Sequence, residues 1–168
     1  MNEETLGDIL EELKAFTNVT KAIFADQKGE KPQYPYITFK IIAEPDDPSV
    51  GIYNYETVES ENPNFDSDIE VQKIETSEPS FSINVFAKTA EEAKSVAMKT
   101  KDFFKFHGCE WLKRKNIVTV STSTIENRDA LMIIDYERRY GFDVILRYTR
   151  ELKKKIETIE TYSFSRIE

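Results

Sequence analysis

The sequence predicts an α+β fold: one domain over residues 1–168, a mostly antiparallel sheet flanked by two helices, and a long acidic hairpin arm. Three observations carry this prediction. Residues 3–17 and a second segment beginning at Thr89 repeat apolar residues at the helical period. Residues 131–150 alternate in character with period two, the signature of a strand with two different faces. Two further strand-like runs, 50–59 and 68–75, lie inside a segment too rich in carboxylates to form a packed layer.

In "EETLGDILEELKAFT" the stripe is Leu6, Ile9, Leu10, Leu13 and Phe16, with acids in the first turns where the helix dipole favours them. "DQKGEKPQYP" reads as a loop from its Gly and Pro content. "YPYITFKIIAE" follows as a strand, with Ile37, Phe39 and Ile41 on one side, and Pro45 and Pro48 end it. "VGIYNYETVES" and "DIEVQKIE" are the two sides of the expected arm, separated by the strand-breaking "ENPNFDS". "PSFSINVFAK" alternates cleanly, placing Phe81, Ile83, Val85 and Ala87 on one face. "TAEE" is a capping box in which Thr89 accepts from the Glu92 amide. The helix it opens buries Ala93, Val96, Ala97, Phe103 and Phe104, and Gly108 is its expected C-terminal stop. "NIVTVSTSTI" reads as a β-branched strand and "ENRDAL" as a turn. In the long strand Tyr136, Tyr140, Phe142, Val144, Leu146 and Tyr148 share one parity, interrupted by Arg138; Glu137, Arg139, Asp143 and Arg147 share the other. One face is therefore buried and aromatic and the other charged. The charged face reads either as the wet side of an antiparallel sheet or as a contact surface for another copy. The tail from Glu151 reads as one turn of helix and then a strand.

A chain of 168 residues has ample length for a core. Its 23 Lys and Arg against 31 Asp and Glu give a net charge of −8, which argues against general nucleic-acid binding, since that rests on neutralising phosphates. No window approaches the ~20 apolar residues of a spanning helix, and no membrane association is expected. The acidic start lacks the basic region of a secretory signal, and a single cysteine, Cys109, excludes an intramolecular disulfide framework. The expectation is a soluble protein kept in a reducing cytosol. Residues 44–78 carry eleven acids against Lys73 alone. Asp46, Asp47, Glu56, Glu59, Glu61, Asp66, Asp68 and Glu70 of this segment are candidates either to line a lumen or to contact a neighbour, with a solvated loop as the plainer reading.

No catalytic, cofactor-binding or metal-binding residue is expected. His107 and Cys109 are half a metal site, and three or four ligands are needed. The five glycines form no phosphate-binding loop, and no nucleophile elbow occurs.

The stretches "KAIFADQKGEKPQYPYITFKI", "FSINVFA", "IENRDALMIIDYERRYGFDVILR" and "IETIETY" resemble the neck and tail-terminator proteins of tailed bacteriophages. The resemblance runs from about residue 21 to 163 and is weakest over 45–78. It implies a small α+β sheet domain that assembles as a ring, usually hexameric. That ring caps the tail tube, stops its growth and joins it to the head connector. It also implies partners in the tail tube protein and the head-completion protein, a place in the virion neck, and assembly in the host bacterial cytoplasm. DNA would pass through without specific binding. The class carries no catalytic residues. Within this reading Arg138, Arg139, Arg147, Arg150, Glu137, Asp143, Lys153, Lys154 and Lys155 are candidates for the subunit interface. A tail-completion or tube subunit is the neighbouring alternative. A small α+β ligand-binding or regulatory domain is the alternative from another class.

Overall fold

The computed structural model describes residues 1, 3–45, 51–63, 65–131 and 136–157. In chain order its elements are α1 (Glu3–Thr17), β1 (Lys21–Phe24), β2 (Tyr36–Ala43), β3 (Ile52–Glu59), β4 (Ser67–Ser77), β5 (Ser80–Ala87), α2 (Ala90–Asp102), a π-helical turn (Phe103–His107), α3 (Cys109–Arg114), β6 (Ile117–Thr122), β7 (Glu126–Asn127), β8 (Ala130–Leu131) and β9 (Tyr136–Glu157). This is the mixed α+β, mostly antiparallel architecture that the periodicities predict. The chain divides into two compact units, Met1–Asp46 with Ser77–Tyr148, and Asp47–Thr76 with Thr149–Glu168.

In the first unit β5 lies between β2 and β9, antiparallel to both, with Phe39 opposite Ile83 and Ile83 opposite Phe142. β1 runs parallel to the outer side of β2. The far side of β9 pairs with β6, β7 and β8 in turn. Ile37, Phe39, Phe81, Ile83, Val85, Phe142, Val144 and Leu146 therefore share one face, and all are buried with Leu6, Ile9, Leu10 and Leu13 of α1 and Val96, Ala97, Phe103 and Phe104 from the second helical run. Phe39 stacks on Phe81 at 4.6 Å between ring centroids, and Phe104 meets Phe142 edge-on at 6.5 Å. Such contacts add to the apolar burial that drives the unit together. α1 ends at Asn18 and α3 at Asn116, both in the left-handed region at φ 58, a conformation asparagine tolerates better than most residues.

Several local expectations are corrected. Gly108 does not stop a helix in the left-handed region; its φ is −87 and a helix continues beyond it as α3. Its lack of a side chain serves packing instead, because a Cβ there would come within 2.5 Å of the Phe103 ring. Ile41 leaves the core at a register shift between Ile41 and Ala43 and is exposed, and Phe16 lies at the rim of its stripe, over Phe103 and His107. Tyr136 shares parity with Phe142 yet is 50% exposed, since it lies beyond the helices' cover and packs under the Arg138 guanidinium. "ENRDAL" is not a free turn: its ends are β7 and β8 on β9. "KAIF", without periodic signal, is β1. Residues 151–157 continue β9 as a strand rather than forming a turn of helix. The remainder of the tail, from 158, lies outside the described residues.

The second unit contains the arm. β3 and β4 pair antiparallel in unbroken register from Ile52 opposite Ile74 to Glu59 opposite Ser67. The hairpin expected from the two strand-like runs is thus present. β4 is followed in strand order by β9, of which residues from Thr149 onward belong to this unit.

Candidate functional site

The face of the first unit's sheet that points away from the helices is polar, and one side chain organises it. Arg128 bridges two strands, β5 and β9: Nη1 donates to Ser82 Oγ at 2.8 Å and to Asn84 Oδ1 at 3.3 Å, while Nη2 reaches Asp143 Oδ1 at 3.1 Å. Gly141 makes the path open, because a Cβ there would meet Asn84 Oδ1 at 2.5 Å, Ile83 O at 2.6 Å and Arg128 Nη1 at 3.0 Å. The adjacent Asp129 accepts from the Arg139 amide at 2.7 Å and from Arg138 Nη1 at 3.0 Å. Burial raises the Asp129 pKa, but these hydrogen bonds outweigh it and hold the carboxyl below its ordinary range. Arg128 and Asp129 went unassigned in the sequence because "ENRDAL" has turn composition; no periodic signal separates two network residues from an ordinary loop.

The predicted interface cations are largely occupied inside the chain. Arg138 is held by Asp129 at 3.0 Å and Arg147 by Glu78 at 2.7 Å. In the second unit Arg150 faces Glu75 at 3.7 Å, Lys153 faces Glu70 at 3.4 Å, and Lys155 pairs with Glu61. The Lys155 hydrogen bond holds the Glu61 carboxyl below its ordinary value. Glu137 and Asp143 are also engaged, with Lys31 and Arg128. Lys154 shows no ion pair among the described residues. Of the arm's acids, Glu56 and Glu59 on β3 are exposed and without an ion pair among the described residues. Asp68 is buried, and its Oδ1 has no hydrogen-bond partner among the described residues. Asp66 has an interaction partner, and Asp46 and Asp47 lie outside the described residues.

Beside Arg139 the polar face sinks into a depression of about 640 Å³ between β1, β2, β5 and the 26–32 loop. Tyr34, Tyr36 and Phe86 form a continuous ring stack along it, at 5.6 and 4.7 Å between centroids, and the Arg139 guanidinium lies 5.6 Å from the Phe86 ring. Lys31 is held by Glu137 at 2.5 Å and Lys40 by Asp26 at 3.1 Å. Burial pulls the Lys31 ammonium down, yet its hydrogen bonds to Glu137 and Tyr34 outweigh this and hold it well above its ordinary value. Burial, followed by the Glu137 charge, pushes the Tyr36 hydroxyl up to about 12.

The His107 ring packs tilted against Phe16 at 5.0 Å between centroids, and the Cys109 thiol donates to Phe104 O at 3.5 Å, so both pack at the helical turn. Among the described residues no group of three His, Cys, Asp or Glu side chains converges as a metal site. No helix among the described residues is long and apolar enough to cross a membrane. Comparison with known families matches residues 4–168, nearly the whole chain, to the model described as phage neck terminator protein. No curated protein matches.

Proposed function

The chain belongs to the phage neck terminator protein family, and on that premise we propose that it forms a closed homo-oligomeric ring that ends the tail tube and joins it to the head connector. Membership makes it a structural protein of the phage neck and a component of the virion. The ring, its hexameric count and its contacts with the tube and connector proteins are the finer proposal. One observation carries it. The outer strand of the arm, β3, exposes Ile52 and Tyr55 at 67% each, beside Tyr53, and among the described residues only β4 pairs with it. An edge strand that leaves such side chains exposed is a liability for a chain that stays alone and an asset for one that assembles. Heterologous contacts of this kind close into rings when the rotation permits. The net charge of −8 suits a wall past which DNA slides without sticking. Light scattering on the purified chain tests the reading. A single finite oligomer is expected; a monomer at all concentrations, or growth without limit, would reject it.

A further inference from the structure

The depression on the first unit's polar face holds recognition groups that the chain itself does not use. Tyr36 and Thr38 line it and are only 5% and 8% exposed, yet neither hydroxyl has a hydrogen-bond partner among the described residues. Hydroxyls that line an open depression without a partner inside the chain can donate to a bound acceptor. The cations around them divide into two sets. Lys31 and Lys40 are neutralised by Glu137 and Asp26. Lys21 and Lys28 have no ion pair among the described residues. Arg139 spends Nε on Arg128 O at 2.8 Å, and its Nη nitrogens make no hydrogen bond among the described residues. Glu30 is the one carboxylate lining the depression that is unpaired among those residues. The surplus is thus cationic and hydrogen-bond donating, matched to carboxylates. A nucleic-acid strand fits poorly, because Asp26, Glu30 and Glu137 border the same space and would repel a continuous polyanion.

We propose that this depression receives the acidic hairpin of a second copy of the chain, with Lys21, Lys28 and Arg139 meeting Glu56 and Glu59 of the incoming β3. The proposal rests on the ring reading above and names the contact that would close the ring. The occupant follows from charge complementarity. Glu61, Glu70 and Glu75 of the arm are already paired with Lys155, Lys153, Lys73 and Arg150 of their own chain. Glu56 and Glu59, on the open edge strand, are exposed and have no such partner among the described residues. The cations of β9 are for the most part spent in the same internal pairs, whereas Lys21, Lys28 and Arg139 have no ion pair among the described residues and line one depression. The contact is heterologous, arm into depression, as a closed ring requires.

Paired charge reversals test this, read by sedimentation velocity at about 0.1 M salt, where such contacts are incompletely screened. The K21E/K28E variant and the E56K/E59K variant each change exposed side chains remote from the core, and circular dichroism checks their fold. Each should weaken self-association by about a hundredfold, the order that like-charge juxtaposition at a contact produces. The quadruple variant K21E/K28E/E56K/E59K restores complementarity in every contact and should recover the wild-type oligomer. A wild-type oligomer retained by either double variant overturns the inference while leaving the ring reading intact. So does loss that the quadruple variant fails to repair. A K21E/K28E chain that keeps its oligomer but no longer binds the tube or connector protein makes a different protein the occupant, and likewise overturns it. A wild-type chain that stays monomeric overturns the ring reading itself, and this inference with it.

Discussion

Phe142 points into the core while Gly141 lies under Arg128, so adjacent residues of one strand serve opposite faces of the sheet. Phe142 is fully buried, with Ile83 opposite and Phe104 against its edge. Phe142→Ala should cost about 3–5 kcal/mol in chemical denaturation, from lost transfer energy and the cavity left behind; a loss under about 1 kcal/mol would contradict its place in the core. Tyr36 gives a pH signature. Its hydroxyl is pushed up to about 12 in the folded protein, against about 10 in an unfolded chain. Between these values the unfolded state releases a proton that the folded state keeps, so the Tyr36 contribution to stability falls as pH rises through the window and levels off above it. Tyr36→Phe removes that component. The stability difference between wild type and variant should shrink from pH 10 to 12, and a difference that stays flat would show that this hydroxyl titrates normally.

At the scale of elements, the strands and helices with strong periodicity were legible in the sequence and the short, network-bearing pieces were not. The Phe81–Val85 alternation, the Leu6–Leu13 stripe and the Thr89 cap each state their role locally; Thr89 accepts from the Glu92 amide at 3.2 Å, as read, while the Glu92 carboxylate bonds the Lys88 amide rather than that of Thr89. β1, β7 and β8 have four, two and two residues, too few to show a period, and exist because β2 and β9 offer them partners. Gly108 was misread because composition alone cannot distinguish a glycine needed for φ from one needed for space under Phe103. The arm was read correctly as a hairpin, but its counter-charges were not. The cations expected to meet a neighbour mostly pair with acids of their own chain. On the proposed reading the arm serves association rather than stability. Replacing residues 46–77 with a short Gly-Ser turn should leave the first unit folded, with cooperative unfolding by circular dichroism, and should abolish the oligomer in sedimentation. An unchanged oligomer would remove the arm from assembly.

For the whole molecule, charge is the property that sequence and structure describe most consistently. The chain is acidic overall, its eleven acids of residues 44–78 concentrate in and around one hairpin, and three cations without an ion pair among the described residues, Lys21, Lys28 and Arg139, line the depression of the other unit. Such a distribution favours one chain meeting the next in a fixed sense, with partner choice and encounter rate set by complementarity. The sequence resemblance and the family match both assign the chain to the neck, and a finite ring there is the proposed assembly. The central claim is tested most directly by adding the purified chain to polymerising tail-tube protein and imaging the products by electron microscopy. The account predicts shorter tubes, each closed at one end by a ring of this chain. Tubes of unchanged length, with the chain absent from their ends or incorporated along their walls, would contradict it.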